Sequence, residues 1–267
     1  MRGEHVVGGG MSSTSPGLTW VGGSRGIEDL DDTSRKILAA SSSGTSIFDP
    51  VLCELLYKWF CPPGGKVLDP FAGGSVRGIV AGVLGRDYLG VELRPEQVAA
   101  NESQLERLDI ARDVRWLCGD SRAVIPTINT GFDFVFSCPP YGSLERYSDD
   151  PRDLSAMDRE AFETAYTEII RLACGLLNQD SFACFVVGNY RLANGFYHDL
   201  VGATVRAFEK GGAGFYNDSI LVTAAGSLPI RAGGQFTATR KLGKTHQNVL
   251  VFCKGNPKRA TRKCEVL

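Results

Sequence analysis

What this sequence lacks narrows it first. Its 8 cysteines form no Cys-x-x-Cys pair, and its 3 histidines, His5, His198 and His246, lie far apart. Those spacings exclude zinc-finger and zinc-ribbon sites and give no reason to expect any metal. No apolar run is long enough to span a bilayer, and the N-terminus shows no apolar core of the signal-peptide kind. The expectation is a cytoplasmic chain with reduced cysteines and without membrane or metal partners. Internal repeats are absent, which excludes solenoids and propellers. An excess of charge of one sign is absent too: 29 Lys and Arg meet 30 Asp and Glu, for a net charge of -1.

That balance hides an asymmetry. From Tyr190 onward there are 12 Lys and Arg against 4 Asp and Glu, a balance of +8, which leaves -9 in the remainder. A basic C-terminal third suits a polyanionic partner and equally suits a solvated basic surface. At 267 residues the chain can bury a full core as one domain, with or without an appendage. Residues 1–45 are rich in Gly, Ser and Thr. They read as a flexible arm with one short helix near Asp31 to Ala40. Residues 256–267 read as a basic tail.

From Phe48 onward, strand and helix patterns alternate. Helical spacing runs from Asp49 to Phe60, Val76 to Leu84, Pro95 to Leu108, Arg159 to Leu177 and Tyr197 to Phe208, with a short helix near Ser121 to Ile128. Strands are expected at Lys66 to Asp69, Tyr88 to Glu92, Val114 to Cys118, Phe132 to Ser137 and Phe182 to Val187. Ile220 to Ala225 and Asn248 to Cys253 read as closing strands. Such alternation predicts a parallel sheet covered by helices on both faces. Ligands then bind at the carboxyl ends of the strands, near the point where strand order switches.

Two stretches sit at such ends. The first strand runs into Asp69-Pro70-Phe71-Ala72-Gly73-Gly74-Ser75. It is not a dinucleotide fingerprint, because Ser75 stands where the middle glycine belongs, and it is not a P-loop, because no Gly-Lys-Ser/Thr follows. Taken alone, the turn is either a ligand cradle or a tight strand-to-helix connection. Glu92 ends the next strand, 23 residues after Asp69, where a carboxylate accepts from both hydroxyls of a ribose. Asp120 follows the third strand, with Ser121 beside it, and is placed to accept from an adenine amino group. Three acids after three successive strands describe a nucleoside-shaped site. The second stretch is Ser137-Cys138-Pro139-Pro140-Tyr141, at the end of an apolar strand. Two prolines fix the backbone and remove two amide donors, which leaves carbonyl acceptors next to an aromatic ring. Acceptors beside a stacking face suit a planar amine.

Together these motifs resemble the DNA amino-methyltransferases specific for cytosine N4 or adenine N6, and most of all phage and prophage DNA-modification methylases. The resemblance covers about residues 45–255. It implies a class I methyltransferase, Rossmann-like α/β fold over 46–255, with a mostly parallel seven-stranded sheet and helices on both faces. It implies S-adenosylmethionine as cofactor and DNA as partner. Asp69, Pro70, Phe71, Gly73, Gly74 and Ser75 match the motif for the methionine part of that cofactor. Phe48 and Asp49 match an additional cofactor motif, Glu92 the ribose acid, and Asp120 with Ser121 the adenine side. Ser137, Cys138, Pro139, Pro140 and Tyr141 match the catalytic loop. The family carries Asp, Asn or Ser where this chain has Cys138. A thiol is a weak acceptor, and Ser137 would compensate only if the strand bulged. The small size of Cys138 favours cytosine N4 over adenine N6. Direct in-line transfer is expected. The Pro-Cys order of the thiolate-dependent cytosine enzymes is absent. Loops around 142–156 and 190–247 are expected to meet the target, with Arg191, Arg240, Lys241, Lys244 and His246 as phosphate contacts. The expected state is a monomer or homodimer. Two rivals remain: an RNA guanine-N2 or protein-amide methyltransferase, and a degenerate nucleic-acid binder that has lost turnover.

Overall fold

The computed structural model describes residues 48–142, 146–222 and 228–264. The expected N-terminal arm and its helix lie outside them. Asp49 starts the first helix, α1 (Pro50–Phe60), by accepting from the amides of Val51 and Leu52, with Pro50 preset for the first turn. The chain then alternates. β1 (Lys66–Asp69), α2 (Val76–Val83), β2 (Asp87–Glu92), α3 (Pro95–Leu105), β3 (Val114–Cys118), α4 (Ser121–Val124) and β4 (Phe132–Ser137) follow in order. Next come α5 (Arg159–Leu176), β5 (Leu177–Val187), the two-strand ribbon β6 (Tyr190–Arg191) and β7 (Tyr197–His198), and α6 (Leu200–Lys210). The chain closes with β8 (Gly214–Val222), α7 (Leu228–Thr239), β9 (His246–Lys254) and α8 (Pro257–Thr261).

Seven strands make one sheet in the order β3-β2-β1-β4-β5-β9-β8. β1 to β5 pair parallel, and β9 pairs antiparallel with β5. The expected mostly parallel seven-stranded sheet is therefore present. Alternate residues of the central strands feed two separate cores, because successive side chains point to opposite faces. Leu68, Val135, Phe185 and Phe252 join the core under α5 and α6. Val67, Phe134, Phe136, Cys184 and Val251 join the core under α1 and α2. Strands buried on both faces need the near-continuous apolar runs seen in the sequence. Order reverses between β1 and β4, so the ligand-binding crevice of this fold lies where Asp69 and Ser137 end.

Three expectations change. Tyr197 and His198 belong to the ribbon rather than to a helix, which begins at Leu200 under the Asp199 cap. β8 starts at Gly214, earlier than its apolar run indicates. Leu228–Thr239 is a helix that the sequence reading did not foresee. Residues 222–246 form a unit distinct from residues 48–221 and 247–264. No helix among the described residues is long and apolar enough to cross a membrane.

Close packing of β2 against Trp116 on β3 and Ala72 in the glycine turn relies on Gly90. A β-carbon there would lie 2.7 Å from Trp116 and 2.8 Å from the Ala72 side chain. Gly90→Ala is expected to lower the unfolding free energy by about 1–3 kcal/mol in urea denaturation, the cost of overpacking a dense core.

Candidate active site

Asp69 is wholly buried at the end of β1. Its carboxylate receives Arg77 Nε at 2.6 Å, Tyr88 Oη at 2.8 Å, Ser137 Oγ at 2.5 Å and the Phe71 amide at 3.2 Å. Arg77 lies on α2, buried, and its Nη2 also donates to the carbonyls of Phe71 and Ala72 at 2.8 and 2.7 Å. The glycine turn is thus pinned from beneath by one ion pair. Burial is the largest single influence on the Arg77 charge and works against it, yet Asp69, with Tyr88 and Cys138 adding to its effect, raises the guanidinium pKa above its ordinary value. Burial pushes the Tyr88 phenol upward in pKa, and the Asp69 carboxylate adds to that shift, so Tyr88 acts as a neutral donor.

Further bonds hold the turn from above. Gly73 adopts φ +53, and its carbonyl accepts from Asn101 Nδ2 at 2.7 Å. Ser75 bonds Gln104 through its hydroxyl. Ser121 Oγ donates to the Pro70 carbonyl at 2.6 Å, which ties the end of β3 to the turn. A β-carbon built on Gly73 or Gly74 would meet no atom within 4 Å, so these two residues border open space. Glu92 stands at the edge of that space. Its two oxygens accept from the Gly73 amide at 2.9 Å and the Arg94 amide at 3.0 Å. Burial raises its pKa, while those amides and the Arg94 charge pull it back. Asp120 caps α4 and grips Arg122, with Nη2 to Oδ2 at 2.7 Å. Phe48 packs edge-on to Phe136 at 5.7 Å and lies under the Arg77 guanidinium at 4.9 Å.

The Pro-Pro-Tyr loop leaves β4 beside the turn. Ser137 pairs regularly with Phe185, and the register irregularity of β4 falls at Phe132 and Phe134 instead. No bulge therefore turns Ser137 toward a target, and its hydroxyl is spent on Asp69. The idea that it compensates for Cys138 is thereby corrected. Cys138 is partly buried against the core under α1. Tyr141 has only 4% of its surface exposed. Its hydroxyl accepts from Gln247 Nε2, and its ring meets Tyr190 edge-on at 6.2 Å. It anchors the loop instead of offering an open face.

The structure brings Phe48, the glycine turn, Glu92, Asp120, Ser121 and the Pro-Pro-Tyr loop together at one sheet edge. Arg191 lies on the ribbon after β5. Arg240, Lys241, Lys244 and His246 belong to the other unit. Sequence reasoning missed Arg77, Asn101 and Gln247. Only Arg77 left a signal, as a charge at a core-facing position eight residues after an aspartate. Among the described residues no group of three His, Cys, Asp or Glu side chains could hold a metal.

No protein-family model and no curated protein matches this chain. Solved structures do match it in fold. TrmN from Thermus thermophilus superposes with a TM-score of 0.54 at 18% identity, over 83% of this chain and 53% of that one. A methyltransferase from Pyrococcus furiosus gives 0.50 at 17%, over 78% and 84%. A candidate S-adenosylmethionine-dependent methyltransferase from Streptococcus mutans gives 0.50 at 16%, over 78% and 49%. The chain spans about half the length of the first and third. These likenesses establish the class I, Rossmann-like fold of S-adenosylmethionine-dependent methyltransferases.

Breaking the buried pair should be costly, because a lone buried charge remains. Arg77→Met is expected to lose about 3–5 kcal/mol of stability in urea denaturation. A loss below about 1 kcal/mol would show that the pair does not hold the turn.

Proposed function

We propose that this protein uses S-adenosylmethionine to methylate an exocyclic amino group of a DNA base, with cytosine N4 ahead of adenine N6. The observation that carries the proposal is the bond between Ser137 and Asp69. It sets the Pro-Pro-Tyr loop and the glycine turn side by side across the switch point.

The residues present fit that cofactor. The open space over Gly73 and Gly74 takes the amino-acid part, on the turn that runs from Asp69 through Pro70 and Phe71 to Ser75. Glu92 keeps lone pairs beyond its two amide bonds for ribose hydroxyls. Asp120 and Ser121 are assigned to the adenine side, and Phe48 and Asp49 to additional cofactor contacts. Bound there, the cofactor supplies an electrophilic methyl group on a sulfonium centre.

The chain's own part is positioning. Pro139 and Pro140 offer no amide hydrogen, so the carbonyls of Cys138 and Pro139 are the acceptors for the N–H groups of the target amine. Accepting both hydrogens localises the nitrogen lone pair and orients it toward the methyl group. Tyr141, fastened by Gln247, keeps those carbonyls in place. The thiol of Cys138 adds little as an acceptor, and its size leaves room for a pyrimidine. Arg191, Arg240, Lys241, Lys244 and His246 supply phosphate contacts, and the loops around 142–156 and 190–247 meet the target.

Two measurements test this reading. Nucleosides from DNA incubated with the protein and deuterium-labelled cofactor should contain labelled N4-methylcytosine by mass spectrometry. Label in RNA or protein alone would overturn the choice of DNA. Label appearing only in Cys138→Ser or Cys138→Asp would identify a degenerate enzyme. The second measurement concerns Glu92. Its carboxylate must be ionised to accept from a ribose, and its pKa is raised, so affinity is full above that pKa and lost as pH falls through it. Calorimetric Kd for the cofactor should therefore weaken as the pH is lowered, by at most about tenfold per pH unit. Glu92→Gln should bind weakly and without that slope.

A further inference from the structure

The ribbon after β5 has a buried root and an exposed tip. At its root His198 is buried and stacks on Tyr190, with ring centroids 5.0 Å apart and Tyr190 Oη 3.3 Å from Nδ1. Tyr190 in turn meets Tyr141 edge-on, and its hydroxyl fills the place where a side chain on Gly142 would sit. The root is thus packed directly on the catalytic loop. The tip is a closed, preformed turn. The Leu192 amide donates to the Phe196 carbonyl at 2.8 Å and the Gly195 amide to the Leu192 carbonyl at 2.8 Å. Asn194 Oδ1 receives the Phe196 amide at 3.1 Å, and Gly195 takes φ +86. Asn-Gly is the pair such a turn favours.

This rigid turn holds Phe196 out in solvent with 74% of its surface exposed. Beside it Tyr197 is 44% exposed and lies 4.2 Å beneath the Arg191 guanidinium. Between Tyr190 and His198 there is one basic side chain and no acid. Exposing a phenylalanine on a stiff turn costs hydration free energy, and no contact within the ribbon requires it. Asp199 and Glu163 lie at the root of the ribbon, with the Glu163 carboxylate 3.6 Å from His198, whereas the tip pairs flat apolar faces with a cation, which matches unpaired nucleic acid, whose bases stack.

We infer that the Tyr190–His198 ribbon is a stacking wedge for an unpaired strand of nucleic acid. Phe196 stacks on a base beside the target, and Arg191 with Tyr197 holds the adjoining nucleotide. Two residues of strand carry the tip about 7 Å from its root. That is about two steps of 3.4 Å along a stacked strand, so the wedge reaches the first and second nucleotides beside the base held by the Pro-Pro-Tyr loop. This assignment rests on the amino-methyltransferase reading, and it supplies the open aromatic face that buried Tyr141 does not.

The test is fluorescence anisotropy with a labelled single strand of about twelve nucleotides, run beside calorimetry with S-adenosylmethionine. Phe196→Ala should weaken strand binding about 5- to 150-fold, the equivalent of roughly 1–3 kcal/mol for one stacked base. Phe196→Trp should restore binding, with indole emission quenched by the strand. Cofactor affinity and thermal midpoint should be unchanged in both variants. Equal strand binding by Phe196→Ala and the unaltered protein overturns the inference, as does an unaltered protein that binds no strand. If instead strand binding depends on Phe196 while the cofactor is not bound, the ribbon's role stands and the methyltransferase reading fails. Binding of a hydrophobic protein surface in place of the strand would also overturn the wedge.

Discussion

Everything at the carboxyl edge of the sheet depends on the buried pair between Asp69 and Arg77. Removing two charges from water is expensive, and the attraction between them offsets that cost only when the remaining hydrogen-bonding capacity is met. Here it is met. Tyr88, Ser137 and the Phe71 amide complete the carboxylate, and the Phe71 and Ala72 carbonyls engage the guanidinium. The network reaches β1, β2, β4, α2 and the glycine turn. A change in any one of these is felt by the others, because each partner left alone would be a buried polar group without a match.

The consequence is a site prepared before a ligand arrives. The underside of the turn is filled by Arg77, while its upper side over Gly73 and Gly74 is open. Asn101 and Ser121 fix the backbone on either flank. Glu92 is already oriented by two amides. The Pro-Pro-Tyr loop needs no separate scaffold, since Ser137 joins it to the same carboxylate. Preorganisation of this kind lowers the ordering cost of binding and suits a reaction whose demand is geometry rather than a strong acid or base.

Much of this was legible in the residues. β1, β3 and β4 begin and end where the apolar runs do, because strands buried on both faces tolerate little else. The glycine turn, Glu92 and the Pro-Pro-Tyr loop were readable because each needs particular residue types at a strand end. Arg77 was not, since nothing local reveals which charge a buried aspartate will recruit from the next helix. The ribbon was missed because strands of two residues carry no period, and Tyr197 blends into the pattern of α6. β8 was read too short because its first residues mix the aromatics Phe215 and Tyr216 with polar side chains and are all exposed, so no alternation marks them. The packing of Tyr141 was hidden for another reason: its partner Gln247 is 106 residues away.

The most direct test of the account is a crystal structure with S-adenosylhomocysteine bound. The account predicts the amino-acid part over Gly73 and Gly74, both ribose hydroxyls on Glu92, and the sulfur facing the carbonyls of Cys138 and Pro139, with the Asp69–Arg77 pair unmoved. A ligand bound elsewhere, or a turn that has to break that pair to admit it, would contradict the account.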